Sequence, residues 1–384
     1  MVTLGILIII LLGTTIGGQL SVRLGIPTVI GQLLMGIILG PAGFGWLQQS
    51  NLIHNLADLG VIILIFLAGI ASNLQLLRQY WRPSVVVASL GMFFPVVVVY
   101  LLGACFHMPP LECLFLGVVF AATSVSISVA VLKELKQLTT PSGTTILGAA
   151  VVDDLLAIIL LSFLVSLLGD AGKRPLAVTI LLQIGYLIFA GLLLKWLAPH
   201  LTRIWQHLQL PLPATGGAVI LCFTLAYLAE FVGLSNVLGA FIAGLICAQT
   251  EFHSAIEHDL EALGESFLIP IFFVSIGLNL DLNSLTRDWW FICILTLAAI
   301  GTKLIGAGGG AYLLHFSPAE AYEIGAGMVS RGEMALIITQ IGYQAKLFSG
   351  EYYTATISAI ILTTLAAPFL LQDAVSRLPQ ATRS

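Results

Sequence analysis

Leu24-Gly25-Ile26-Pro27-Thr28-Val29-Ile30-Gly31-Gln32-Leu33-Leu34-Met35-Gly36 and Val232-Gly233-Leu234-Ser235-Asn236-Val237-Leu238-Gly239-Ala240-Phe241-Ile242-Ala243-Gly244 carry glycine at the same three places, 208 positions apart. Outward from there, at the same offset and without a gap, Gly69 falls on Gly277, Gly117 on Gly325, Trp81 on Trp289, Pro110 on Pro318 and Glu112 on Glu320. With 38 glycines in 384 residues, chance over residues 25–125 gives about one coincidence, and five are found. The chain is a duplication.

Composition says what medium the duplicate lives in. Hydrophobic residues make up 58% and charged residues 9%, where a globular chain carries roughly 25% charged. Apolar runs of about 18 to 25 residues recur to the end of the chain, long enough to cross a bilayer. They predict an all-α integral membrane protein of thirteen helices, near 2–22, 27–40, 55–70, 84–105, 111–131, 144–168, 175–198, 212–231, 236–249, 262–278, 290–314, 319–345 and 352–372. The first run has neither a basic leader nor an Ala-x-Ala cleavage site, so it reads as a retained helix. No basic stripe exists, which argues against nucleic acid as a partner. Cys105, Cys113, Cys222, Cys247 and Cys293 lie in apolar segments without metal-ligand spacing and read as small apolar fillers.

Lys and Arg counts orient the chain. With the N-terminus outside, the cytoplasmic segments hold nine, namely Arg23, Arg78, Arg82, Lys133, Lys136, Lys195, Arg203, Arg377 and Arg383. The external segments hold four: Lys173, Arg174, Arg287 and Lys346. Each copy then spans six helices, 1–170 and 206–384, with a linker helix in 171–205. Equivalent helices stand seven spans apart, and an odd offset turns the second copy upside down. Two inverted six-helix repeats are the architecture of secondary transporters, with the site at the midplane; an inverted-repeat channel is the competing reading.

Ionisable groups inside the spans favour a carrier over a polar pore. In Val151-Val152-Asp153-Asp154-Leu155-Leu156, two carboxylates lie deep in one span, each costing about 2.5–3.5 kcal/mol there without a partner or cavity. Neighbouring helical residues project about 100° apart, so one can face a protein partner and the other an aqueous cavity. Lys303 lies halfway along its span, too deep to snorkel. At the 208 offset Lys303 meets Pro95, and Asp153 and Asp154 meet Ile361 and Leu362. Residues of the fold obey the symmetry; these three break it.

Two further stretches read as helix interruptions at equivalent positions. Thr123-Ser124-Val125-Ser126-Ile127-Ser128 and Ser330-Arg331-Gly332-Glu333 overlap so that Thr123 meets Arg331 and Ser124 meets Gly332. Such paired breaks point to a transport site, their carbonyls and hydroxyls offering hard oxygen ligands for Na⁺ or Li⁺; serine as packing glue is the plainer alternative. Arg331 and Glu333, two residues apart, do not face each other on a regular helix, and they read as a supporting pair, with Arg331 neutralising a half-helix end. The cytoplasmic loop Glu251–Glu265 holds Glu251, Glu257, Asp259, Glu261, Glu265, His253 and His258 and no Lys or Arg, a solvated face or a cation and pH sensor.

Taken together, Leu24-Gly25-Ile26-Pro27, Gly31, Gly36, Gly40-Pro41, Phe66-Leu67-Ala68-Gly69, Asp153-Asp154, Phe273-Val274-Ser275-Ile276-Gly277-Leu278 and Ser330-Arg331-Gly332-Glu333 resemble the bacterial monovalent cation:proton antiporters of the NapA/Kef branch. The likeness is greatest to NapA-type Na⁺/H⁺ antiporters. One departure is Ala71-Ser72, where many relatives carry an acidic residue. The resemblance implies an NhaA/NapA-like fold with broken crossing helices, in the inner membrane of a bacterium. It implies a homodimer in which a core, about 84–168 plus 290–372, moves elevator-fashion past a dimerisation scaffold, about 1–70 plus 212–278. It also implies Asp154 as the cation and proton carrier, Asp153 as the partner of Lys303, and Thr123 as a nearby ligand, beside which Ser124 of the same break reads as a further ion-binding hydroxyl. The cargo would be Na⁺ and H⁺, with no cofactor and no enzymatic activity. Loss of a second proton from Lys303 would make exchange electrogenic. A K⁺/H⁺ antiporter or K⁺ efflux system is the nearest alternative. An intramembrane aspartyl protease, a different class, needs its carboxylates on separate helices.

Overall fold

A computed structural model of the chain describes residues 2–167, 176–207, 212–280, 288–332, 335–336, 338–339, 342 and 350–379. Among them every regular element is a helix. Among the described residues nine helices are long and apolar enough to cross a membrane, and two shorter apolar ones, Thr28–Leu39 and Asn236–Cys247, lie between them. The chain forms a multi-pass, all-helical membrane protein.

The first half runs through α1 Val2–Arg23, α2 Thr28–Leu39, α3 Asn51–Ala71, α4 Leu74–Gln79, α5 Trp81–Cys105, α6 Pro110–Ala121, α7 Val125–Glu134 and α8 Pro141–Leu167. The second half has α9 Leu176–His207, α10 Pro213–Phe231, α11 Asn236–Cys247, α12 His253–Leu263, α13 Ile269–Gly277, α14 Trp289–Lys303, α15 Gly309–Leu313, α16 Pro318–Gly327 and α17 Gly350–Ser376. Wide π-turns at 264–268 and 304–308 join α12 to α13 and α14 to α15. Polar side chains start several helices by accepting from orphan N–H groups. Ser50 accepts from Ile53 N, Ser235 from Val237 N, and Ser317 with Glu320 closes a capping box ahead of α16. On the outside of α1, Leu4, Ile8, Leu12, Ile16 and Leu20 form an exposed stripe at four-residue spacing. A membrane helix presents such a stripe to lipid.

The glycines that align in sequence also meet matching partners in space. A Cβ at Gly36 would overlap the Val274 carbonyl, and one at Gly244 the Phe66 carbonyl; Gly69 meets the Phe241 carbonyl and Gly277 that of Leu33. Gly117 lies on the carbonyl of Val96 and Gly325 on that of Leu304. In each pair both members are shifted by the same 208 positions. Small residues let backbones approach where lipid offers helices no hydrophobic drive to associate.

Two segments differ from expectation. Residues 251–265, expected as a loop, carry α12, an amphipathic helix that buries Ile256 and Leu260. Its acids are also not without a base, because Lys133 Nζ at the end of α7 reaches Glu261 Oε1 at 2.5 Å and Glu265 Oε1 at 3.1 Å. The connection 75–83 likewise holds the short helix α4 and the start of α5.

Buried apolar residues fall into distinct clusters. Phe115, Phe120, Ala157, Phe291, Leu295 and Ile360 join α6, α8, α14 and α17. Phe66, Trp205, Cys222, Leu225, Ala240 and Ile246 join α3, α9, α10 and α11. A third cluster joins Ile65, Val237, Phe241 and Phe273 of α3, α11 and α13 to Val87, Val129 and Ile324 of α5, α7 and α16.

Candidate functional site

The site begins where two helices stop. After α6, Ala122 and Ser124 adopt extended backbone before the chain resumes as α7. After α16, residues 328–331 are likewise non-helical. The two interruptions face each other, with Ser124 N donating to Ser330 O at 2.8 Å. Gly332 has φ +41°, and a Cβ there would run into the Ser124 side chain, so glycine satisfies both the left-handed backbone and the close approach. Gly332 N donates to Thr364 Oγ1 on α17 at 3.1 Å, and Ser128 Oγ donates to Gly327 O at 2.5 Å.

Arg331 is fully buried at this crossing. Its guanidinium donates to the carbonyls of Ala121 at 3.4 Å, Ala122 at 3.2 Å and Ala299 at 2.9 Å. Ala121 and Ala122 are the open C-terminal end of α6, where the partial negative charge of a helix collects. The Arg331 guanidinium thus lies against the last carbonyls of α6. Glu333, its expected companion, lies outside the described residues.

Asp153 and Asp154 project from α8 in different directions. Asp153, fully buried, turns to Lys303, with Oδ1 3.4 Å from Nζ. Lys303 is also fully buried; it is the last residue of α14 before the π-turn and passes Gly91 of α5. π-Turns recur at functional sites because they re-aim a side chain without ending the helix. Arg331 lies within Coulombic reach of both members of the pair. Asp154 turns the other way, to a cavity of about 10 Å³ shared with Ile65, Val125, Leu147, Val151, Val237, Leu238 and Phe241. That volume is about enough for one water-sized occupant. Val125 opens α7, so the cavity borders the break at Thr123 and Ser124 while its far wall belongs to α3 and α11.

Polar atoms left over mark where further ligands are available. Thr123 Oγ1, Ser330 Oγ and Asp153 Oδ2 are buried without a hydrogen-bond partner. Reading the sequence missed Ser330 as an individual ligand, Thr364 and the Ala299 carbonyl. Thr363-Thr364 inside an apolar span was the available signal for the second; a backbone carbonyl leaves none.

On the side carrying Lys133, a cavity of about 710 Å³ opens between α7 and the helices α1, α2 and α13, lined among others by Thr14, Thr28, Gln32, Glu134, Glu261 and Glu265. Glu134 grips the start of α2, its carboxylate accepting from Thr28 N at 3.0 and 3.2 Å and from Thr28 Oγ1 at 2.9 Å.

Comparison with known proteins bears on this geometry. The family model described as sodium/hydrogen exchanger, transmembrane, matches residues 6–375. The Na⁺/H⁺ antiporter of Enterococcus hirae is 46% identical over 371 residues, covering 96% of this chain and 97% of that one. The Na⁺/H⁺-K⁺ antiporter GerN of Bacillus cereus is 41% identical over 366 residues, covering 95% of this chain and 94% of that one. The solved structure of the sodium proton antiporter MjNhaP1 from Methanocaldococcus jannaschii superposes with a TM-score of 0.72 at 18% identity, covering 96% of this chain and 95% of that one. At that identity the match speaks for the fold.

Proposed function

We propose that this chain, which belongs to the transmembrane sodium/hydrogen exchanger family, exchanges Na⁺ for H⁺ by letting the two cations take turns at Asp154. The carrying observation is that adjacent buried carboxylates face apart, Asp153 to an internal lysine and Asp154 to a one-occupant cavity beside a helix break. Na⁺ binds Asp154 only when its proton has left, and a proton binds only when Na⁺ has left. Thr123, with its unpartnered hydroxyl, and the neighbouring Ser124 supply hard oxygen ligands from the break. Arg331 holds the break open by neutralising the end of α6. As a carrier the chain needs no cofactor, and the aspartyl-protease reading falls away with the family.

Asp153 is the partner of Lys303 and turns from it towards a bound Na⁺. Lys303 then gives up a second proton, so that two protons move against each Na⁺ and exchange is electrogenic. K⁺ is the second candidate cargo, because GerN is named for both ions.

The two inverted six-helix repeats are supported by the paired glycine contacts. Thirteen spans follow when the two short apolar helices, α8 and the interrupted segment 319–345 are counted with the nine long ones. Residues 84–168 with 290–372 form the mobile core and 1–70 with 212–278 the dimerisation scaffold of a homodimer. The separate apolar clusters on either side of the Asp154 seam favour that division. The excess of Lys and Arg puts the N-terminus outside and the C-terminus in the cytoplasm of a bacterial cell.

In proteoliposomes, imposed Na⁺, Li⁺ and K⁺ gradients are expected to drive proton counterflow in the wild type and none in Asp154→Asn. Full proton flux in Asp154→Asn would remove Asp154 from the cycle.

A further inference from the structure

One buried acid is left unused by this mechanism. Glu323 lies in the second turn of α16, fully buried, and neither carboxylate oxygen has a hydrogen-bond partner. The polar side chain beside it is Ser142, a single hydroxyl that also shares a contact of 3.1 Å with Thr140 Oγ1. Ser142 is the second residue of α8, the helix of Asp153 and Asp154. One turn on, Gly327 lies so close to Ile146 that a Cβ would not fit between them. Helices α16 and α8 thus run side by side, 323 at 142 and 327 at 146. Just before α8, Gln137 Oε1 is also buried without a partner.

Among the described residues no base pairs with Glu323. On its own helix the titratable neighbours are Glu320, engaged in the capping box, and Tyr322. Tyr322 Oη donates to Asp373 of α17 at 3.1 Å, and Asp373 is in turn paired with Arg377 at 2.9 Å. On α8 the first titratable residue after Ser142 is Asp153. The π-turn 304–308 has none, and α15 has only Tyr312, which is exposed. An ionised carboxylate buried beside a single hydroxyl and no cation is costly, whereas the neutral acid is only a small polar group. Packing does not demand an acid either. At the 208 offset Glu323 falls on Phe115, which is also fully buried. Glu323 breaks the duplication as Asp153, Asp154 and Lys303 do.

We propose that Glu323 is a second proton-binding carboxyl of the exchanger, at the α8 N-terminal end of the approach to Asp153, loaded with a proton in this conformation and emptied in another. Removing the proton forces α16 away from α8, because the ionised group must find water or a cation. One turn later the Gly327 carbonyl accepts Ser128 Oγ at the crossing, so the shift reaches the break directly. The assignment deepens the exchange reading: Glu323 makes opening of the crossing depend on pH on the side of the molecule where α8 begins.

Infrared spectra of purified protein, with Glu323→Gln and Glu323→Met as references, test the proton without needing transport. The wild type is expected to show a buried carboxylic-acid carbonyl band at neutral pH that both variants lose. In proteoliposomes the variants are expected to lose the change in Na⁺-driven proton flux that raising the pH on that side produces in the wild type. Spectra identical to wild type, or superimposable pH profiles, would overturn the proposal. So would failure of both variants to fold, since a neutral side chain of like size serves a proton-loaded position. A wild type that shows the band but no exchange would sink the exchange reading and leave the proton site standing.

Discussion

Removing Lys303 isolates Asp153, and the geometry gives the size of the effect. Both groups are fully exposed to the protein interior and to nothing else, with a relative surface exposure of 0% and a separation of 3.4 Å. Breaking a buried pair by deleting one partner costs about 3–5 kcal/mol, because the remaining charge is left uncompensated; deleting both is often close to neutral. Lys303→Gln or Asp153→Asn alone is therefore expected to lower the folded-to-unfolded ratio by about two to three and a half decades, at about 1.4 kcal/mol per decade. Uptake of a proton by the orphaned Asp153, or pairing of Asp153 with the nearby Arg331, softens the first of these. The double variant is expected to recover most of the loss. Thermal and denaturant unfolding of the four proteins in one detergent closes the cycle, and the coupling energy is the quantity to read. Additive single effects, with coupling near zero, would refute the idea that these side chains compensate each other.

Two other perturbations follow from contacts away from the Asp153–Lys303 pair. Gly36→Val and Gly244→Val both drive side-chain carbons into a facing carbonyl, of Val274 and Phe66 respectively, and overpacking of this kind typically costs about 1–3 kcal/mol. Equal losses in thermal unfolding are expected, and wild-type stability in one of them would argue against equivalent helix packing in the two halves. Lys133→Ala removes contacts to Glu261 and Glu265, but all three side chains are partly exposed, at 25%, 38% and 57%. Solvent screening holds the stability change under about 1 kcal/mol. If α7 moves with the core, the same change should alter the exchange rate and its dependence on salt; a rate insensitive to both would detach this clasp from transport.

Much of the architecture was legible because duplication writes it twice. A glycine that lets one backbone touch another recurs wherever the contact recurs, so Gly36 with Gly244 and Gly69 with Gly277 announced close packing before any coordinates. The facing breaks were legible for the same reason, Thr123 and Arg331 occupying one position of the repeat. Helix α12 was not legible. Its eleven residues are acidic, carry only Ile256 and Leu260 inward, and lack a side-chain N-cap, so locally they read as solvated chain. Its base, Lys133, comes from 128 positions earlier. Glu323 was hidden by its surroundings: in Pro318-Ala319-Glu320-Ala321-Tyr322-Glu323 it looks like another acid of a capped first turn, and only burial separates it from Glu320.

The asymmetry at the crossing also bears on stoichiometry. If both halves carried the Arg331 residue type, a second guanidinium would stand at position 123, and the dry centre would hold three cations with Lys303. If both carried threonine, the α6 carbonyls would lose their donor. As built, Arg331 and Lys303 oppose Asp153 and Asp154, and with both acids ionised the formal charges of these described groups cancel. Na⁺ arriving at Asp154 leaves one uncompensated positive charge where charge is hardest to screen. In the proposed cycle, release of a proton from Lys303 restores neutrality, and together with the proton that left Asp154 makes two per Na⁺. Lys303→Gln starts one charge lower, so Na⁺ alone balances it and one proton exchanges for one Na⁺. Membrane voltage imposed with K⁺ and valinomycin is expected to drive Na⁺ uptake or release in the wild type and to leave Lys303→Gln indifferent. If the variant responds to voltage as strongly as the wild type, Lys303 keeps its proton throughout and the charge argument fails.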